Sequence, residues 1–207
     1  MKGKYAIFVA SLAVAVLLGY WAKNQIGIDI FDFGSLSGYF PFSYLQRDNV
    51  IEDPKPGILF EENFDSHSLV RHWGGLWMRE EGKVVKNVGR QGRDGSRCLV
   101  VKSTSDESWS LGYSTFVRVK EGDVFEFKGW VYQEGSVPGA YLRVTSYDEK
   151  KAAIKWNYVA QKNSRTGKWD LVERTFTVGG DEGYLKFGLV GRGEGEFRFD
   201  DLVFRKE

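Results

Sequence analysis

Hydrophobic and polar residues alternate in short runs over most of the chain after residue 57, and glycine-containing turns such as Glu121-Gly122-Asp123 separate the runs. No helical period appears after residue 23. Successive strand signals with no helices between them predict an all-β fold, an antiparallel two-sheet sandwich. The predicted strands are 58–62, 84–88, 98–102, 114–120, 123–133, 140–147, 153–160, 171–178, 184–190 and 196–205.

The alternation also predicts which side of two strands faces the core, because successive side chains of a strand point to opposite faces. In strand 123–133, Phe125 and Phe127 lie on the apolar side, and in strand 140–147, Leu142 and Val144 do so. The opposite sides combine aromatic and hydrogen-bonding residues, which is unusual for plain solvent exposure. The residues on these sides that could contact a ligand are Trp130, Tyr132, Tyr141, Arg143 and Tyr147.

An uncharged apolar run covers residues 5–22, with lysines before it and Lys23 after it. As a helix it is about 27 Å long, enough for a thin hydrocarbon core. We predict that residues 1–23 form an uncleaved signal anchor and a transmembrane helix. The alternative is a cleaved signal peptide, but cleavage after Ala22 puts bulky Tyr20 at the −3 position. Either way, the rest of the chain is expected on the periplasmic or extracellular side.

Residues 24–56 are apolar and aromatic, and glycines and Pro41 interrupt any long helix. The segment is too hydrophobic for a flexible linker. One interpretation is that it packs on the sandwich or on the membrane surface. The other is that it docks on a protein partner in the cell envelope, since exposed apolar patches tend to be covered. The predicted organisation is therefore an anchor at 1–23, a connecting segment at 24–56 and a sandwich domain at 57–207.

Composition and charge indicate which classes of function the chain can have. Hydrophobic residues make up 42% of the chain and charged residues 28%, which is ordinary for a folded domain. The net charge of +1 gives no electrostatic reason to expect nucleic acid as a partner. Cys98 is the single cysteine and lies in an apolar run, so a disulfide within the chain is excluded and a buried core position is expected.

The sequence contains no recognisable catalytic motif. His67 and His72 flank no serine or cysteine in a nucleophile setting, and their spacing does not match a zinc site. The glycine-rich segment 191–195 lacks the Lys-Ser/Thr ending of a phosphate loop. We therefore expect a binding protein rather than an enzyme.

Several segments resemble the jelly-roll carbohydrate-binding modules of the galactose-binding-like superfamily, of the type found in families 4, 9 and 22. They are NFD at 63–65 followed by Trp73, GSRCLVV at 95–101, VKEGDVF at 119–125, GKW through TFTV at 167–178, and FDDL at 199–202. They occur in the family's order over residues 57–207. Asp65 stands where the family usually has glutamate.

The resemblance implies a membrane-anchored, non-catalytic module that binds a polysaccharide. A flat aromatic surface with polar groups beside it is what a sugar ring requires. The alternative is an accessory subunit of an envelope complex that uses the sandwich as a protein-interaction surface. The predicted ligand-binding residues are Trp130, Tyr132, Tyr141, Arg143, Tyr147 and Trp156.

The resemblance also implies a structural calcium ion, with ligands from Asp65, Ser96 and Asp201, or Asp200 in place of Asp201. It further implies that Trp73 and Trp169 are packing residues. Trp109 fits either a sugar platform or a core position.

Overall fold

The computed structural model describes residues 49–65, 72–135 and 139–207, and these belong to one compact unit. The described residues contain strands and turns and no helix. Accordingly, no membrane-spanning helix is found among them. The predicted anchor at 1–23, most of the connecting segment 24–56 and His67 lie outside the described residues.

One sheet, called the cleft sheet below, contains seven described strands. They are β1 (Asn49–Ile51), β3 (Trp73–Met78), β6 (Ser108–Tyr113), β7 (Thr115–Arg118), β9 (Tyr141–Tyr147), β10 (Ala153–Lys162) and β12 (Tyr184–Arg192). β12 is central: β9 pairs with one edge of it, and β7 and β6 follow each other along the other edge. β10 then pairs with β9, and β3 pairs with β6, so the order across the cleft is β10-β9-β12-β6-β3.

The second sheet, called the opposite sheet, contains six described strands. They are β2 (Gly57–Glu62), β4 (Val84–Gly89), β5 (Cys98–Ser103), β8 (Val124–Glu134), β11 (Asp170–Thr177) and β13 (Gly195–Lys206). β13 pairs with β8 along one edge and with β5 and then β2 along the other. The predicted two-sheet all-β sandwich is therefore confirmed for the described residues.

Every strand predicted from the sequence overlaps an observed one, and β1, β3 and β6 were not predicted. β1 lies within the segment 24–56 and pairs in parallel with β7, so the sandwich includes residues before Gly57. β3 reads Trp-Gly-Gly-Leu-Trp-Met, and its glycines hide the alternation. β6 does alternate, but serines and a glycine occupy its outward positions.

The core lies between the sheets and is rich in phenylalanine. Alternate residues of β8 are buried, as predicted, and Phe125 and Phe127 are fully enclosed. Burying each such ring stabilises the fold by about 1.5–3 kcal/mol. Cys98 is also fully buried, as expected, and burial raises the pKa of its thiol to about 11.

Candidate functional site

The predicted ligand-binding residues occupy two different outer faces of the sandwich. β8 and β9 follow each other in the chain, but β8 belongs to the opposite sheet and β9 to the cleft sheet. Trp130 and Tyr132 of β8 therefore lie on one side of the molecule. The residues on the other side are Tyr141, Arg143 and Tyr147 of β9 and Trp156 of β10.

The outer face of the cleft sheet contains a cleft of about 640 Å³. Five adjacent strands contribute to it, β3, β6, β12, β9 and β10. The residues that line it are Trp77, Arg79, Ser108, Trp109, Ser110, Arg143, Trp156, Asn157 and Val190.

The floor of the cleft is low because small side chains face outward from the central strands. β6 buries Trp109 and Leu111 in the core and therefore turns Ser108 and Ser110 outward. Next to Ser110, in register on β12, lies Val190. Large residues at these positions would fill the cleft, so the alternation of β6 and β12 creates the depression.

Two exposed tryptophans stand on the strands at the two sides of this floor. Trp77 of β3 has an exposed fraction of 54%, and Trp156 of β10 one of 63%. Three strands separate β3 from β10, so the two backbones are about 19 Å apart at 4.8 Å per strand. Exposed indole rings beside a concave surface are characteristic of ligand sites, because neither ring is used to fill the core.

The position of Trp156 depends on an irregularity in β10. The register between β10 and β9 shifts between Lys155 and Val159, where three residues of β10 lie opposite Thr145 alone, so β10 has two extra residues there. The Thr145 hydroxyl donates a hydrogen bond to the Trp156 carbonyl, at 2.8 Å, and fixes the bulged backbone. The bulge thereby holds the Trp156 side chain in the open.

Arg143 lies between the floor and Trp156. Its Nη1 donates to Asn157 Oδ1 at 3.4 Å, whereas its Nε is buried and has no hydrogen-bond partner. The guanidinium rests over Gly188 of β12, because a Cβ added at Gly188 would be 3.7 Å from Arg143 Nε. Burial lowers the pKa of the Arg143 guanidinium from its ordinary value, and Tyr147 raises it. An arginine stays charged in spite of such a shift.

Tyr141 and Tyr147 share the outer face of β9 but do not line the cleft. Tyr141 pairs in register with Val190, and Lys162 Nζ lies 5.6 Å from its ring centroid. Tyr147, at the other end of β9, packs edge-on against Phe116 with 4.9 Å between the ring centroids. Tyr141 is therefore next to the cleft, and Tyr147 belongs to a packed cluster beyond it.

On the opposite sheet, the outward aromatic rings are covered by arginines. The Arg93 guanidinium carbon lies 4.4 Å from the Trp130 ring centroid. That of Arg198 lies 4.5 Å from the Tyr132 ring, which also packs on half-buried Trp169, at 5.7 Å. A shallower depression of about 390 Å³ lies on this face, and its lining residues are Ile58, Glu61, Lys128, Trp130, Leu171, Glu173, Asp201, Val203 and Arg205.

The residues implied in calcium binding lie around the loop before β5. The carboxylate of Asp200 accepts hydrogen bonds from Arg93 N and Ser96 Oγ, both at 3.1 Å, and from Asp201 N at 2.9 Å. Asp200 rather than Asp201 therefore contacts Ser96. Burial, with the negative charge of Asp201, raises the pKa of Asp200, although these hydrogen bonds lower it.

Asp65 Oδ1 accepts a hydrogen bond from Arg97 N, at 3.3 Å, and Asp201 is exposed with φ +47°. Among the residues that the structure describes, no group of three or more His, Cys, Asp or Glu side chains could hold a metal ion. Calcium binding therefore stays a prediction.

The tryptophans expected to pack include Trp73, which is 3% exposed and contacts Phe64 and Phe187. Trp109 is fully buried against Phe197 and Phe199, so it is a core residue. Gly191 makes room for it, because a Cβ there would lie 2.2 Å from the Trp109 ring.

Sequence reasoning missed Trp77, Ser110, Asn157 and Val190. Trp77 follows Trp73 by four positions, which in a regular strand would put both on the same face. The register of β3 and β6 shifts between Trp73 and Leu76, so Trp73 is buried and Trp77 is exposed. The bulge that exposes Trp156 and Asn157 has no counterpart in the sequence pattern.

The chain was compared with known proteins. A family model described as a carbohydrate binding domain, CBM4/9, matches residues 56–189. No curated protein matches the sequence.

Among solved structures, the CBM22-1 xylan-binding domain from Paenibacillus barcinonensis Xyn10C is 18% identical with a TM-score of 0.51, over 74% of this chain and 97% of that one. The CBM22-1 and GH10 modules of Clostridium thermocellum endo-1,4-β-D-xylanase 10B are 14% identical with a TM-score of 0.52, over 73% and 29%. The active domain of tailspike protein 4 of bacteriophage CBA120 is 9% identical with a TM-score of 0.55, over 70% and 20%. The chain therefore spans less than a third of the last two chains, and at these identities the likeness establishes the jelly-roll sandwich fold.

Proposed function

The chain belongs to the carbohydrate binding domain family, and we propose that it binds a polysaccharide, without catalysis, in the cleft between Trp77 and Trp156. The observation that carries this proposal is the pair of exposed indole rings on either side of a floor of small residues. Family membership supports a binding role and gives no sign of a catalytic domain.

The physical basis is the two-sided character of a sugar ring. Its C–H groups form an apolar patch that stacks on an indole face, while its hydroxyls need hydrogen-bond partners at the ring edge. Trp77 and Trp156 supply the faces, and Ser110, Arg143 and Asn157 supply donors and acceptors beside them. A rim-to-rim span of about 19 Å leaves room for several sugar units of a chain.

We further propose that the module acts on the periplasmic or extracellular side, held by a single transmembrane helix. The support is the uncharged run 5–22 with its flanking lysines. A membrane tether would keep the cleft close to an envelope or exported polysaccharide, where weak individual contacts suffice because the effective concentration is high.

A second candidate function is that of an accessory subunit of an envelope protein complex. The observation that favours it is the apolar part of the opposite face, where Ile58 is 61% exposed and Leu171 41% exposed beside Trp130. The two functions use different faces, so variants on each face separate them.

Affinity electrophoresis of the full chain in detergent tests the proposal. The gels would contain xylan, mixed-linkage β-glucan, galactan, alginate or polygalacturonate. We expect retardation by at least one polymer, its loss in Trp156→Ala and its retention in the matched variant Trp130→Ala. No retardation by any polymer, with a chain that melts cooperatively, would exclude polysaccharide binding of this kind.

A further inference from the structure

We infer that the cleft selects a polysaccharide that carries negative charge, and that Arg143 recognises the carboxylate of its uronic acid units. This inference rests on the proposed function, because it concerns the ligand of the same cleft. It is carried by the hydrogen-bonding state of Arg143 and by the charges of the cleft lining.

The lining residues include two arginines, Arg79 and Arg143, and no carboxylate. Arg79 has a partner at the rim, since its Nη1 is 3.5 Å from Glu107 Oε2. The chain as a whole is nearly neutral, with a net charge of +1. The excess of positive charge in the cleft is therefore local, and a concave surface concentrates its effect on a ligand.

Arg143 has no ion-pair partner among the described residues. Its single hydrogen bond is the 3.4 Å contact with Asn157, and its Nε is buried with no partner. Leaving a buried charged donor without a partner is costly, so such groups are usually paired. Arg143 also lines the cleft, so an anionic group on a bound ligand would supply the countercharge that the described residues do not.

Arg198 on the opposite sheet is the useful comparison, because it is also half-buried and outward-facing. Its guanidinium contacts two carboxylates, those of Glu196 and Glu134. Arg118 on the cleft sheet likewise contacts Glu149 and Glu52, away from the cleft. These two arginines have carboxylate partners within the fold, whereas at Arg143 we expect the ligand to supply the carboxylate.

The geometry favours a carboxylate over a hydroxyl. The Arg143 guanidinium lies close to Gly188, where the lack of a side chain leaves room for it, and Arg143 is one of the residues that line the cleft. A planar fork of N–H donors matches a carboxylate, which can accept two parallel hydrogen bonds, whereas a hydroxyl accepts one and brings no countercharge. Arg143 is on the strand next to Trp156, so a ring stacked on the indole has its edge substituents within reach of the guanidinium.

The test compares each acidic polymer with its own neutral derivative. The full chain in detergent is titrated with polygalacturonate, with alginate, and with both polymers after carboxyl reduction to primary alcohols. We expect at least one acidic polymer to bind at least tenfold more tightly than its reduced form, at fixed ionic strength. Arg143→Gln should remove this difference, Arg143→Lys should restore part of it, and Lys128→Gln on the opposite face should leave it intact. Unchanged melting temperatures show that the variants fold.

The outcomes separate the inference from the proposed function. If reduced polymers or xylan bind as tightly as the acidic ones, the inference is wrong and polysaccharide binding stands. If no polymer binds, the proposed function fails. A third outcome is that heparin binds while the sulfate-free uronate polymers do not. If Arg143→Gln then leaves heparin binding unchanged, the site binds anions without Arg143, and the inference is overturned.

Discussion

The two outer faces of the sandwich carry similar residues, but these residues differ in whether neighbouring side chains cover or pair with them. Both present tryptophan and arginine side chains from neighbouring strands. On the opposite sheet, Arg93 covers Trp130 and is itself close to acidic groups. On the cleft sheet, Trp156 is open and Arg143 has no carboxylate partner among the described residues.

This difference separates aromatic residues that stabilise a surface from those that can bind. When a guanidinium is already stacked on an indole, that face of the ring is covered. Displacing the cation costs about 0.5–2 kcal/mol before any ligand contact forms. An uncovered indole needs no such displacement. The proposed glycan binding therefore belongs to the cleft sheet, whereas the rings of the opposite sheet pack against arginines of the surface.

The largest effect on sugar affinity should come from removing the two exposed tryptophans beside the cleft, Trp77 and Trp156. Trp77→Ala and Trp156→Ala should each weaken binding about 10- to 100-fold, since burying an aromatic side chain is worth about 1.5–3 kcal/mol. The double variant should abolish measurable binding, while Trp130→Ala should bind as wild type. Affinity electrophoresis measures all four chains, and a loss confined to Trp130→Ala would reverse the comparison.

A smaller loss of sugar affinity should follow when a large side chain fills the floor of the cleft. Ser110→Phe puts a ring on the cleft floor from β6, and we expect about a tenfold loss of affinity from steric exclusion. Glu173→Phe adds the same ring to the opposite face as the control. Equal affinities of the two variants would mean that the ligand does not enter the cleft.

Substitutions on the outer face of the opposite sheet should lower the free energy of unfolding and leave sugar affinity unchanged. Tyr132→Ala removes the contacts with Arg198 and Trp169, and we expect a loss of about 1–3 kcal/mol in the free energy of unfolding. Urea unfolding measures it, and the sugar affinity of the folded variant should not change. A loss of affinity at constant stability would show that this face binds glycan.

The strands and the side assignments of β8 and β9 could be predicted from the sequence because alternation is local. The pairing of strands is not local, so the sequence could not reveal that Trp130 and Arg143 belong to different sheets. Arg143 and Trp156 were predicted as ligand residues from their chemistry, whereas Trp77 was missed with its glycine-rich strand β3. Whether a ring is covered depends on contacts between residues far apart in the chain, as between Arg93 and Trp130.

A separate effect on stability concerns calcium. Asp200 already accepts three hydrogen bonds, two from the loop before β5 and one from the next residue of β13. If the predicted ion binds, its stabilisation should depend on concentration, at about 2.7 kcal/mol when calcium is one hundred times its Kd. Thermal melting with calcium and with EDTA measures it, magnesium is the control, and identical curves would contradict the prediction.

The most direct test of the cleft assignment is an NMR titration of the indole N–H signals, with the full chain labelled at its tryptophans. The ligand is an oligosaccharide cut from the polymer that binds in the electrophoresis panel. We predict that the Trp77 and Trp156 signals, assigned by single substitution, move with a common binding curve while those of Trp130 and Trp169 stay in place. Movement of the Trp130 and Trp169 signals with the cleft pair unchanged would contradict the account.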